Sequence, residues 1–563
     1  MSQIIKNCKI SKEKFTITSD DIIFYKNINV LFGDDEKNGL PTLCPNERMR
    51  RRLAWRNERN LFNRDCSVSG KKIVSMYSSD VKFPVYDNDY WWGDEWDAKD
   101  FFIKPNLTES FFYQFEKLLN IVPRMARIQQ GTCENSRFTN CASYNKNCYL
   151  LFTANFNEDC SYGNNIFNSQ NSIDNLRMIK SELCYECVDV EECYNSLFLN
   201  NSKRCTDSYF LKNCISCSNC FGSANLRNKE YYFLNKKYSK EEYLKKLKSV
   251  EIEKYSKTKD LRKFFKKHFL QYPVKSAEVL KNENSSGNYL YNSKNSFECW
   301  DALNLEDCKY SGDGEFIKSS YDVNYYGCSE TNELLYECEG VGHGVYNMKF
   351  SKLCWGGCKN LEYCIECFKS EDCFGCIGLK NAQYCIFNTQ YSKEQYFELR
   401  EKMREHMQKT GEWGEFFPIK LSPFGYNQTV AQEYFPLTKE VALEMKYNWG
   451  VDDNSAKYTG INYVISDDIK DVDVDICTKI LECEVTKKLY KITSQELQFY
   501  KKMNIPIPRK CPDQRHKERM ALRNPRKLFE RNCDNCNVEI STTYAPERLE
   551  KVYCEKCYVD SVD

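Results

Sequence analysis

The stretch CYLLFTANFNEDCSYGNNIFNSQNSIDNLRMIKSELC, from Cys148 to Cys184, decides how this chain is read. Cys148, Cys160, Ser172 and Cys184 recur at intervals of 12, and after a step of nine the interval returns with Cys193, Cys205 and Cys217. Apolar or aromatic patches (CYLLF, YNSLFL, DSYFL) lie between joints of Asn, Ser and Asp. Short strands with turn residues at a fixed period predict a β-solenoid, in which small Cys and Ser side chains pile inward as a ladder. The rival reading is a string of small metal knuckles held by cysteine.

Working outward, the centre is doubled. CFGSANLRNKEYYFLNKKYSKEEY from Cys220 matches CFGCIGLKNAQYCIFNTQYSKEQY from Cys373 without a gap, at a shift of 153. Each copy ends on a helix start: Ser239 with Glu242 and Ser392 with Gln395 have the spacing of a capping box. The two ends of the chain also match. Ile4 to Val30 aligns at a shift of 475, and CPNERMRRRLAWRNERNLFNRDC aligns with CPDQRHKERMALRNPRKLFERNC at a shift of 467. The first copy therefore carries an insertion of eight near LFGDDEKN. From about Gly411 to Gly460, Pro, Gly and aromatics mix without periodicity, as in an ordered connector.

The chain has 563 residues, enough for several cores, and a net charge of +1, so any basic face must be local. Tyr, Asn and Lys are abundant, which reads in part as a nucleotide bias of the genome. The opening MSQIIKNCKISKEKF has no apolar core of signal-peptide length and no stretch is long and apolar enough for a membrane span. The 32 cysteines then point to a reduced, cytoplasmic chain that uses thiols for metal and packing. With four scattered histidines, and no P-loop, Rossmann, GxSxG or HExxH motif, no catalytic residue and no small-molecule substrate is identified.

The strongest chemical signal is at the C-terminus. Cys533-Asp-Asn-Cys536 and Cys554-Glu-Lys-Cys557 together read C-x2-C-x17-C-x2-C, the spacing of a structural zinc ribbon or treble-clef-like site. Buried or disulfide-bonded cysteines are the alternative. In the N-terminal copy only Cys66 survives; Ser69, Asp87 and Tyr90 replace the other three, and Trp91, Trp92 and Trp96 offer an aromatic core instead of metal.

Both end modules keep an arginine stripe: Arg48, Arg52, Arg56 and Arg59 in one, Arg515, Arg519, Arg523 and Arg526 in the other. At i, i+4, i+8 and i+11 they share one helix face. Such a stripe is either a solvated or salt-bridged face or a set of phosphate contacts to nucleic acid. Cys214, Cys217, Cys220, Cys364, Cys367, Cys373 and Cys376 are candidates for further zinc or an iron–sulfur cluster, against inert packing. Duplication weighs against metal, because Cys217 corresponds to Ser370 and Cys187 to Gly340 in the other copy.

The phrases CPNERMRRRLAWRNERNLF, CFGCIGLKNAQYCIFNTQYSKEQY and GEWGEFFPIKLSPFGYNQTVAQEYFPLTKE resemble Cys-rich, zinc-ribbon-ended repeat proteins predicted from genomes of candidate-phylum, small-genome bacteria. The resemblance spans nearly the whole chain. It implies a bacterial-type cytosolic protein and carries no activity with it.

The expected architecture is β-rich and multidomain with short helices. A zinc-less module spans residues 1–125, a Cys-rich segment 126–238, a helical closure 239–275, a second Cys-rich segment 276–391, a helix and aromatic connector 392–465, and the zinc-bearing α+β module 466–563. The function this predicts is a non-enzymatic, zinc-stabilised scaffold that binds RNA or a ribonucleoprotein through the repeat surface and the arginine stripes. A self-assembling protein joined through its end modules is the alternative, and a metal- or thiol-dependent enzyme the third.

Overall fold

Asparagine and aspartate tolerate the left-handed backbone better than other side chains. In the computed structural model, φ is positive at every third residue from Cys141 to Leu234, with Asn147, Asn165, Asn168, Asn171, Asn201 and Asn213 among them. Each such residue turns the chain, and four of these turns close one coil. The chain therefore returns beside itself and pairs in parallel: Ala154 with Ile166, Ile166 with Met178, Met178 with Val190, Val190 with Ser202. The abundance of asparagine thus has a conformational cause besides any genomic one.

The structure describes residues 3–31, 39–327, 330–451 and 463–562. Residues 32–38 of the expected insertion and 452–460 of the aromatic connector lie outside the described residues. The chain is β-rich with mostly short helices and groups into two units. One contains residues 1–127, 277–450 and 526–528; the other contains 128–276, 451–525 and 529–563.

In the second unit the turn residues alternate with inward ones. Cys148, Cys160, Ser172, Cys184, Ser196, Ser208 and Cys220 form one buried column, one coil apart. This column is Cys or Ser throughout, while Leu151, Ile166, Met178 and Val190 fill other inward positions of the same interior. The polar atoms of the column are satisfied along the ladder. The Ser196 hydroxyl donates to the Tyr194 carbonyl at 2.9 Å, the Cys184 thiol to the Glu182 carbonyl at 3.5 Å, and Ser172 Oγ accepts the Cys184 amide at 3.0 Å. The step of nine from Cys184 to Cys193 is three triplets, a move to the next inward column and not a break in the period.

The first unit holds a ten-stranded ladder from Val279 to Gln390, parallel up to a final antiparallel hairpin. Its register varies: 11 at Val279/Leu290, 12 at Trp300/Gly312, 15 at Tyr321/Tyr336, 13 at Glu333/Tyr346 and 12 again at Lys359/Glu371. Each ladder ends in an antiparallel hairpin and a helix, Lys240–Lys248 or Lys393–Thr410. Both expected capping boxes form, on Ser239/Glu242 and Ser392/Gln395, and Tyr243 and Tyr396 anchor the helices as fully buried side chains.

Within each unit an end module lies on the ladder. In the first unit Phe24 stacks on Tyr321 at 3.7 Å between ring centroids, and in the second the Tyr162 hydroxyl donates to Glu496 at 2.7 Å. The expected tryptophan core is present in the first unit. Trp91 is fully buried and meets Trp92, Trp96 and Phe368 with ring centroids at 4.9, 5.5 and 5.6 Å.

Candidate metal centre

The C-terminal site begins with an antiparallel hairpin, Phe529–Asn532 against Glu539–Thr542. Cys533 leaves the first strand into a tight turn. Its amide donates to the Val538 carbonyl at 2.8 Å, and the Asn537 amide returns to the Cys533 carbonyl at 2.9 Å, with Asn537 left-handed. The Asp534 amide then reaches the Val552 carbonyl at 3.0 Å, which brings the strand Val552–Tyr553 alongside. Cys554 follows that strand and stands at the start of the helix Glu555–Val562, one turn of which delivers Cys557.

The four Sγ atoms of Cys533, Cys536, Cys554 and Cys557 all lie within 4.8 Å of one another, and those of Cys536 and Cys554 are 3.8 Å apart. The Cys554 amide points at Cys533 Sγ at 3.2 Å. Burial pushes the Cys533 thiol up, but the amides of Cys536, Cys554 and Asn535 outweigh it and bring the group down to about 6. A thiolate at neutral pH is what a metal ligand requires. The donor set fits a metal ion held by four sulfurs, which leaves no coordination position for substrate.

Among the described residues this is the one group of three or more Cys, His, Asp or Glu side chains placed to hold a metal. Cys214, Cys217, Cys220, Cys364, Cys367, Cys373 and Cys376 are buried on the inward side of the ladders. There their thiols donate to backbone carbonyls, as Cys214 does to Lys212 at 3.5 Å and Cys376 to Cys385 at 3.3 Å.

The arginine stripes are corrected by their surroundings. Arg48 donates to Asp322 at 2.9 Å, Arg51 to Glu337 at 2.6 Å, Arg52 to both carboxylates and Asn324, and Arg56 to Glu339 at 2.7 Å. In the second unit Arg515 pairs with Asp174, Arg519 with Asp174 and Glu186, and Arg523 with Asp189. Arg526 pairs with Asp301 and Asp313 in the first unit, and Arg59 stands 4.0 Å from Glu433. Arg52 and Arg519 are at most 1% exposed. Apart from Arg59, which is half-buried, these guanidinium groups are spent on ladder carboxylates, which is the salt-bridged alternative in its desolvated form. The sequence did not disclose the partners, because each lies in a distant part of the chain.

No helix among the described residues is long and apolar enough to cross a membrane. No family model matches the chain, and no curated protein does. Among solved structures it is similar to a protein described as a "putative acetyltransferase" from Desulfovibrio desulfuricans G20, at 6% identity over 51% of this chain and 81% of that one, with a TM-score of 0.10. A superposition that poor carries neither fold nor activity across.

Proposed function

We propose that this chain is a non-enzymatic β-solenoid scaffold, duplicated in its centre and at its ends and stapled by zinc, and that it binds RNA through the lysine-rich closure of its first repeat segment. The observation that carries the reading is the helix Tyr255–His268, where six Lys or Arg stand against one Asp. Lys259, Lys263, Lys266 and Lys267 share one exposed face of it. Lys263, Lys266 and Lys267 have no carboxylate within ion-pair distance among the described residues. Phe264 beside them is 47% exposed and stacks on His268 at 5.1 Å, whereas Phe265 is buried and fixes the helix.

The second ladder is closed by the single helix Lys393–Thr410, with five Lys or Arg and four Glu, its Arg400 paired to Glu362 and its Lys402 to Glu398. Capping an open ladder therefore does not need the surplus of lysine. A basic helix face with an exposed aromatic suits a single-stranded polyanion, through phosphate charge and base stacking. The zinc assignment is supported by the four-sulfur donor set, and its role is to hold a small module together.

The test is fluorescence anisotropy with a labelled single-stranded RNA at about 50 and about 200 mM salt, the range over which phosphate contacts weaken most visibly. Binding should weaken steeply with salt, and Lys263→Glu/Lys266→Glu/Lys267→Glu should lose at least about tenfold in affinity and flatten the salt slope. Equal binding by the triple variant, or none by the native protein at the lower salt, would sink the proposal.

A further inference from the structure

The turn that carries Cys533 occurs four times. Cys8, Cys66 and Cys483 each end the first strand of an antiparallel hairpin, as Cys533 does. In every copy the Cys amide donates to the carbonyl five positions on (Glu13, Lys71, Lys488, Val538) at 2.8–2.9 Å. The amide four positions on returns to the Cys carbonyl, from a left-handed Lys12, Gly70, Lys487 or Asn537. The amide after the Cys reaches a carbonyl on the returning segment, which is a strand in the second and fourth copies: Lys9 to Thr42, Ser67 to Val85, Glu484 to Arg509, Asp534 to Val552, all at 2.9–3.1 Å. Two positions beyond that carbonyl stands the residue that precedes or caps a helix: Cys44, Asp87, Cys511 and Cys554. Each end module is thus two copies of one knuckle, hairpin and helix, and the four-sulfur centre is the last of four.

The copies differ in how many thiols they keep. In the first, Cys8 and Cys44 stand where Cys533 and Cys554 do, with Ser11 and Glu47 in the other two positions. In the third, Cys483 and Cys511 remain with Thr486 and Gln514. The hydroxyl lies 3.6 Å (Ser11) or 3.5 Å (Thr486) from the second sulfur. The first sulfur receives backbone amides from its own turn and from the second cysteine, in both copies. In the ladder interior the thiols donate to carbonyls, although some, such as Cys358 and Cys376, accept an amide as well. Hydrogen bonds aimed at sulfur favour the thiolate. Burial pushes Cys8 and Cys483 up, yet the hydroxyl and the amides hold both below the ordinary thiol range. Burial raises Cys44 and Cys511, and the paired sulfur adds to the rise, as it does when two thiols stand side by side.

We propose that Cys8–Cys44 and Cys483–Cys511 are two-thiolate sites for a thiophilic cation of the Cu(I) class. Zinc is not the occupant, since it takes four N, S or O ligands. Glu13 stands 4.0 Å from Cys44 Sγ, but Lys488 occupies its position in the third copy, so the donors common to both sites are the two sulfurs. A soft monovalent ion matches sulfur-only ligation of low number. On binding, each thiol still protonated releases its proton to solvent, and no electron is transferred.

The experiment is anaerobic titration of the full-length, zinc-loaded protein against Cu(I)–bicinchoninate, read as loss of the chelate's colour. The native chain should withdraw two equivalents; Cys8→Ser and Cys483→Ser should each withdraw one fewer, the double variant none, with zinc content unchanged. No withdrawal by the native chain, or native stoichiometry in the double variant, overturns the assignment. Because a Cys→Ser change can disturb folding, a second variant keeps every native thiol. Ser11→Cys/Glu47→Cys completes the first knuckle and should bind one additional Co(II) with a thiolate charge-transfer band. If it gains none, the two thiols are not arranged as in the C-terminal centre and the proposal fails.

Discussion

At the scale of the residue, the arginine stripes bind the end modules to their ladders. Arg52 is wholly buried and divides its guanidinium among Asp322, Glu337 and Asn324. A buried ion pair is a weak source of net stability, but removing one partner strands the other charge out of water, at about 3–5 kcal/mol. Arg52→Ala should lose that much stability in urea unfolding, and Arg519→Ala, beside Asp174 and Glu186, should do the same. Restoring neutrality with Glu337→Gln in the Arg52→Ala background should recover part of the loss. A midpoint unchanged by either alanine would show that the ion pairs do not hold the modules. The spacing of the stripe was legible in the sequence, but neither its exposure nor its extent was: the helices end at Leu53 and Met520, so Arg56, Arg59, Arg523 and Arg526 follow the helix and do not share its face. A row of arginines looks alike whether it meets water, phosphate or a column of carboxylates spaced coil by coil on a distant ladder.

At the scale of the element, the ladder interior makes the fold sensitive to alkali. Burial pushes the thiols of Cys148, Cys299, Cys338 and Cys358 up to about 12. The unfolded chain releases the same protons near about 8.5. Between those values the unfolded state binds fewer protons, so stability falls as pH rises from about 9 toward 12, and these thiols impose no dependence below about 8. Urea midpoints at pH 7.5, 9 and 10 should decline in that order, and a flat profile would contradict the buried, protonated ladder. The period of 12 was visible from Cys and Ser alone because those side chains mark inward positions. The triplet within it was hidden, since Leu, Ala, Gly and Asn also fill inward sites and blur the pattern. The knuckles of Cys8 and Cys483 were missed for a simpler reason: C-x2-S and C-x2-T do not look like metal motifs, although the repeated spacing from Cys66 to Ser69 and Cys483 to Thr486 was there to be compared.

At the scale of the whole molecule, a net charge of +1 conceals strong local asymmetry, with carboxylates and guanidinium groups consumed in pairs and lysines left over on one helix. The two units each contain a ladder and an end module, but the four-sulfur centre belongs to one of them. Calorimetry should therefore resolve two unfolding transitions. Stripping metal with a strong chelator, or Cys533→Ser, should lower one and leave the other in place; a common shift of both would mean that the units do not unfold separately. Structural metal in a small module is folding free energy, so the affected transition should fall by many degrees.

The left-handed residue at every third position gives the ladder a reading frame. In the second unit that frame runs unbroken from Cys141 to Leu234, so a single inserted residue would turn every later inward side chain out to solvent, while the insertion of a whole coil would simply lengthen the ladder. In the first unit the registers of 11 and 13 depart from the frame, and Gly287, Gly344, Gly356 and Gly357 stand at those departures with positive φ. Glycine, with no side chain to misplace, is what lets the frame slip there. The chain can grow only in quanta of one coil, or where such a residue absorbs the shift.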